Sequence, residues 1–152
     1  MNTIVIIPAF NEAKTLPKIL KKISSKFFKL VVDDCSTDNT FLASKNYCNK
    51  IIKLKKNSGV DMAINRGFSF ALKKKFKYII TIDADGQHDP RYLHKIQKYL
   101  KKKYDLVITQ RKKFPRFSEK IFSIYTNKYF NSPDLLSGMK GYSYNLAKIY
   151  GC

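Results

Sequence analysis

The chain has 152 residues, of which 44% are hydrophobic and 14% aromatic; that is enough for a packed core and excludes a disordered tail. Lys+Arg 30 against Asp+Glu 11 give a formal net charge of +19, a field that attracts nucleic acid, anionic lipid headgroups or phosphorylated substrates. Cys35, Cys48 and Cys152 are odd in number and show no CxxC spacing, which argues against a disulfide framework or a cysteine zinc site and for a reducing, cytoplasmic setting.

One domain over 1–152 is expected. No cationic leader stands before a long apolar run, and no stretch nears the roughly 20 apolar residues of a bilayer span. Thr3–Ile7 reads as a first buried strand closed by Pro8-Ala9-Phe10-Asn11-Glu12, and Leu16, Ile19, Leu20 and Ile23 then recur at helical spacing. A second strand, Phe28–Val32, ends at Asp33-Asp34, and Ser36 or Thr37 is placed to cap a helix over Phe41, Leu42 and Ala43. Ile51–Leu54 is a third strand. Asn57-Ser58-Gly59 turns into a helix over Val60–Leu72. Tyr78-Ile79-Ile80-Thr81-Ile82 is a fourth strand that stops at Asp83-Ala84-Asp85-Gly86-Gln87-His88. Pro90 opens a helix carrying Leu93, Ile96 and Leu100, and Asp105–Thr109 is a fifth strand. Beyond Arg111, residues Lys112–Asn131 are basic and aromatic, with a helix expected from about Arg116 to Phe130, apolar on one side and cationic on the other. Pro133–Tyr142 reads as turn-rich, and a last helix is expected from about Asn145.

Strands and helices alternate, the pattern of an α/β fold with a mostly parallel sheet and helices on both faces. In such a sheet ligands collect where the strands end. Asp83 and Asp85 therefore either hold a cation that bridges a phosphorylated ligand or only end a strand in a polar turn. Glu12 and Asp33-Asp34 end two further strands on the same edge, an acidic set in an otherwise cationic chain that suits a metal and a polar ligand such as ribose or a nucleobase edge. Each has a plainer rival: Glu12 as a helix first-turn acid, Asp33 as a buttress, Gln87 and His88 as loop residues. No GxGxxG follows the first strand, and GxxxxGK[ST] and GxSxG are absent, which argues against a dinucleotide site, a P-loop and triad hydrolysis.

Val5-Ile6-Ile7-Pro8-Ala9-Phe10-Asn11-Glu12 resembles the opening of family 2 glycosyltransferases of the GT-A fold, a three-layer α/β/α nucleotide-diphospho-sugar transferase fold, and Val31–Asp38 resembles their second nucleotide-contact loop. Asn57 to Gly67 and Asp83–His88 resemble the polyprenyl-phosphate branch, which includes dolichyl-phosphate mannose synthases. The resemblance runs from Ile4 to Tyr142. It implies a nucleotide-diphosphate sugar donor, with Mg²⁺ or Mn²⁺ held by Asp83, Asp85 and Gln87. Pro8, Phe10, Glu12, Asp33, Asp34, Asn57 and Gly59 would serve the donor pocket. Arg111 would meet the acceptor phosphate, with Arg116 and Ser137 as further candidates. The implied activity is inverting transfer to a polyprenyl phosphate by an enzyme at the cytoplasmic face of an anionic membrane.

This chain departs from the branch at several positions. Asp61 stands where a small Gly is usual, Lys140 where Arg is usual, and Thr109-Gln110-Arg111 where Gly-Ser-Arg is more common. Family members typically continue with further acceptor-side helices, so a truncated product or a minimal catalytic core is expected. The alternatives are another glycan or lipid acceptor and a non-catalytic nucleotide-sugar-binding protein. Nucleic acid is not an expected partner, since no DNA or RNA module accompanies the charge.

Overall fold

Seven consecutive buried residues form the central strand, Thr3–Ala9 (β1), because an apolar β-branched run with a neighbour on each side must hide both of its faces. The computed structural model describes residues 1–110, 123–124, 126–128, 134 and 137–150. After β1 come Leu16–Lys22 (α1), Phe28–Asp33 (β2), Thr40–Ser44 (α2), Lys50–Lys53 (β3), Val60–Lys73 (α3), Tyr78–Thr81 (β4), Tyr92–Lys101 (α4), Leu106–Ile108 (β5), Lys140–Ser143 (β6) and Tyr144–Tyr150 (α5).

The sheet has six strands in the order β3-β2-β1-β4-β6-β5. β1 pairs in parallel with β2 and β4, and β2 in parallel with β3, while β6 runs antiparallel to both β4 and β5. Alternate residues of β1 serve two cores. Val5 and Ile7 meet Leu16, Ile19 and Leu20 of α1 and Leu93, Ile96 and Leu100 of α4. Ile4 and Ile6 meet Ala63, Phe68 and Ala71 of α3 and Ala147 of α5. The result is the three-layer α/β/α arrangement expected from the alternation of elements. Among the described residues no helix is long and apolar enough to cross a membrane.

Three local expectations are corrected. Pro8 does not close β1, which runs on to Ala9 with Pro8 opposite Val32 of β2. The pairing with β4 stops at Ile6, so Pro8 lies where β1 has become an edge on that side and a missing N–H is tolerated. Neither Ser36 nor Thr37 caps the second helix, which starts after Asn39; the Ser36 hydroxyl instead accepts the N–H of Asn11 at 3.0 Å. Lys140–Tyr142, read as the end of a turn-rich stretch, belong with Ser143 to β6, inserted between β4 and β5 in the register Thr81↔Lys140 to Tyr78↔Ser143. Four residues with a central Gly141 carry no alternation to betray a strand. The helix expected over 116–130 falls mainly outside the described residues.

Gly67 brings α3 close to β1: a Cβ there would overlap Ile6 Cγ2 and lie 3.1 Å from Ile6 Cδ1. Ile6 is fully buried and stiff about χ1. Gly67→Ala should therefore destabilise the fold by about 1–2 kcal/mol, overpacking outweighing the better helix propensity of Ala. Urea unfolding checks this, and a stability gain would show that the two elements have room to separate.

Candidate active site

The parallel strands β1, β2 and β4 deliver the loops that follow them to one edge of the sheet. There the Asp34 N–H donates to the Ala9 carbonyl at 2.9 Å, carrying the β1–β2 association one residue beyond Asp33. The Asp34 carboxylate, 4% exposed, accepts the N–H of Ser58 through Oδ1 and of Gly59 through Oδ2, both at 2.8 Å. These are donors that the start of α3 cannot satisfy within the helix. Gly59 precedes α3 at φ 88°, ψ 162°, a conformation essentially restricted to glycine.

A second set of bonds ties the β1 loop to the β2 loop. Asn11 Oδ1 accepts the N–H of Thr37 at 2.9 Å and of Asp38 at 3.3 Å. Asn11 itself lies at φ 56°, a left-handed conformation that asparagine tolerates better than most residues. The Thr40 hydroxyl accepts the Glu12 N–H at 2.7 Å and gives its own proton to Asp38. Asp38 also accepts the Ala13 N–H at 3.1 Å. The hydrogen bond from Thr40 is the main reason that the Asp38 carboxyl stays below its ordinary range.

At the end of β4 the Asp83 carboxylate lies 3.8 Å from Nε2 of His88, with the His88 side chain 7% exposed and that of Asp83 32% exposed. Asp85 is exposed, and its Oδ1 accepts the Gln87 N–H at 2.9 Å. Lys140, at the start of β6, reaches the same region. Burial lowers its ammonium below the ordinary lysine range, while the charges of Asp134, Asp83 and Asp61 act to raise it. Thr109 donates its hydroxyl proton to the Met139 carbonyl at 2.8 Å, so the 3.0 Å contact between Thr109 Oγ1 and Ser137 Oγ must be donated by Ser137.

The predicted residues therefore differ in what they offer a ligand. Phe10, Asn57, Gly59, Asp85 and Gln87 are exposed at this edge, and Glu12 and Asp83 are partly exposed. Glu12 Oε2 accepts the Thr15 hydroxyl, and Asp34 holds the α3 entrance. Pro8, Asp33 and Ser137 are buried. Asp33 Oδ1 accepts the Ser36 N–H at 2.9 Å, and among the described residues its buried Oδ2 has no hydrogen-bond partner. Arg111 and Arg116 lie outside the described residues. Sequence reasoning assigned no role to Asn11, Asp38 or Thr40; the only signal was their place in the loops after the first two strands.

A divalent cation fits the chemistry of Asp83 and Asp85. Among the described residues no three His, Cys, Asp or Glu side chains are grouped to hold a metal by themselves. Two accessible carboxylates match a hard cation such as Mg²⁺, which takes one or two from the protein and completes its shell with water and substrate phosphate.

The model of the family described as glycosyl transferase family 2 matches residues 4–147. An uncharacterised protein of Methanocaldococcus jannaschii is 34% identical to the chain, the match covering 95% of the chain and 65% of that protein. The dolichol-phosphate mannosyltransferase of Pyrococcus furiosus is 35% identical, over 73% of the chain and 33% of that enzyme. The chain therefore spans from a third to just under two thirds of the length of these relatives. Among solved structures, glucosyl-3-phosphoglycerate synthase from Mycobacterium tuberculosis, in complex with Mn²⁺, uridine-diphosphate-glucose and phosphoglyceric acid, superposes with a TM-score of 0.76 at 17% identity. That match covers 95% of this chain and 57% of the other, and it shows a shared GT-A fold.

Removing the Asp34 carboxylate leaves the Ser58 and Gly59 N–H groups without their acceptor. Asp34→Ala should lower stability by about 1–3 kcal/mol, measured as a shift of the urea midpoint. An unchanged midpoint would mean that water replaces the carboxylate without loss.

Proposed function

The chain belongs to glycosyl transferase family 2, and from that premise we propose that it moves a sugar from a nucleotide-diphosphate sugar to a polyprenyl phosphate at a membrane surface. The observation that carries this reading is the pair Asp83 and Asp85 at the end of β4, on the edge that also holds Glu12, Asp34 and the entrance to α3. The dolichol-phosphate mannosyltransferase among the relatives supports the choice of acceptor. The Mn²⁺ bound in the glucosyl-3-phosphoglycerate synthase structure supports a divalent cation.

Asp83 and Asp85, with Gln87 beside them, would hold Mg²⁺ or Mn²⁺. When bound, that ion would offset charge on the diphosphate leaving group. Phe10, Glu12 and Asn57 border the space for the nucleoside, and Asp34 and Gly59 shape it. Arg111 contacts the acceptor phosphate, for which its guanidinium offers paired donors. An acceptor phosphate oxygen attacks the anomeric carbon in line. The bond from that carbon to the diphosphate oxygen breaks, and the nucleoside diphosphate leaves with the electron pair. Configuration inverts. A phosphate acceptor is already anionic near neutral pH, so the step needs no general base, in keeping with a site whose nearby histidine, His88, is buried. The net charge of +19 favours approach to an anionic bilayer.

Incorporation of labelled sugar from a panel of nucleotide sugars into polyprenyl phosphate tests the proposal; no product with any donor would favour a non-catalytic nucleotide-sugar-binding protein. Asp85→Ala should abolish Mn²⁺-dependent binding of the nucleotide sugar by calorimetry, and binding that stays unchanged would remove Asp85 from the cation site. Arg111→Ala should raise the KM for polyprenyl phosphate at least about tenfold, the loss of a charge-assisted contact, while donor affinity is retained. Equal turnover of the acceptor would refute that role.

A further inference from the structure

The Asp83 carboxylate lies close against the backbone of Gly138. A Cβ built on Gly138 would overlap Oδ2, Cγ and Oδ1 of Asp83, so the acid occupies the volume that any other residue at 138 would fill. Gly138 is poorly placed to retreat. Its carbonyl accepts the Thr81 hydroxyl at 2.9 Å, and the Lys140 N–H donates back to the same hydroxyl at 3.3 Å. On its two sides Ser137 and Met139, 0% and 1% exposed, are fastened to Thr109 by the Ser137 hydroxyl at 3.0 Å and the Met139 carbonyl at 2.8 Å. The segment is thereby tied to β4 on one side and to the end of β5 on the other. Asp83 follows Thr81 by two residues, and Thr81 is the register partner of Lys140, so the pairing of β6 with β4 is what brings Gly138 beneath the acid. Buried His88 stands 3.8 Å away as a further neighbour of the carboxylate.

We propose that Gly138 is a positioning residue for the donor-site cation. The missing side chain at 138 provides the space in which Asp83 holds its carboxylate, so a segment far along the chain sets the geometry of the donor side. The inference rests on the assignment of Asp83 to the cation. A methyl group at 138 must displace either a segment anchored at Thr81 and Thr109 or a partly exposed carboxylate. The overlapped atoms are the far end of the Asp83 side chain, and it is they that move. Displacing a supporting group of this kind weakens metal binding by roughly 10–100-fold in known metal sites.

The test is a Mn²⁺ titration of the full chain in the presence of UDP or of GDP, with bound Mn²⁺ read by electron paramagnetic resonance and folding followed by circular dichroism and thermal melting. Gly138→Ala should retain the fold and bind Mn²⁺ at least about tenfold more weakly. Unaltered Mn²⁺ affinity in a folded Gly138→Ala protein overturns the proposal and leaves the cation assignment of Asp83 standing, which Asp83→Ala tests separately. Should Gly138→Ala fail to fold, the double variant Gly138→Ala/Asp83→Ala decides. With the carboxylate gone there is room for the methyl, and the double variant should melt with Asp83→Ala alone. Failure to fold in both backgrounds overturns the proposal, because the clash is then not with Asp83. An unsubstituted chain that binds no Mn²⁺ with either nucleotide overturns the proposal together with the function on which it rests.

Discussion

A parallel sheet leaves the last peptide groups of neighbouring strands, and the loops after them, at one edge with no further ladder to satisfy them. The polar side chains of this edge answer that constraint first. Asp34 spends both carboxylate oxygens on the N–H groups that begin α3. Asn11 takes the N–H groups of Thr37 and Asp38, and Thr40 takes that of Glu12. The loops after β1 and β2 are thereby joined to each other, and β2 to the entrance of α3. A ligand bound at this edge would meet loops already joined by hydrogen bonds, which lowers the ordering cost of binding.

The acids then divide by exposure. Asp33 and Asp34 are buried and serve the scaffold, whereas Asp83 keeps part of its surface open and Asp85 most of it. Asp83 is also where the two halves of the sheet meet. The chain enters β4 as a parallel neighbour of β1 and returns as β6 in the opposite direction, bringing Gly138 and Lys140 to the same strand end. The charges of Asp134, Asp83 and, least, Asp61 act on Lys140 against the effect of its burial.

Taken by itself, the sequence determined the alternating α/β pattern, five of the strands and the crowding of acids at strand ends. Those features are written in local apolar runs, in helical spacing and in the order of short motifs, each readable within about ten residues. Only the tertiary structure decided that Lys140–Ser143 is a strand, that Pro8 lies inside one, and that Ser36 serves the neighbouring loop instead of a helix cap. It alone separated the buried Asp33 and Ser137 from the accessible Asp83 and Asp85, and set Gly138 under the carboxylate. The physical reason is sequence distance. Thr81 and Gly138, or Asn11 and Thr37, meet because of sheet order and register, and no local propensity records where a strand will find its partner.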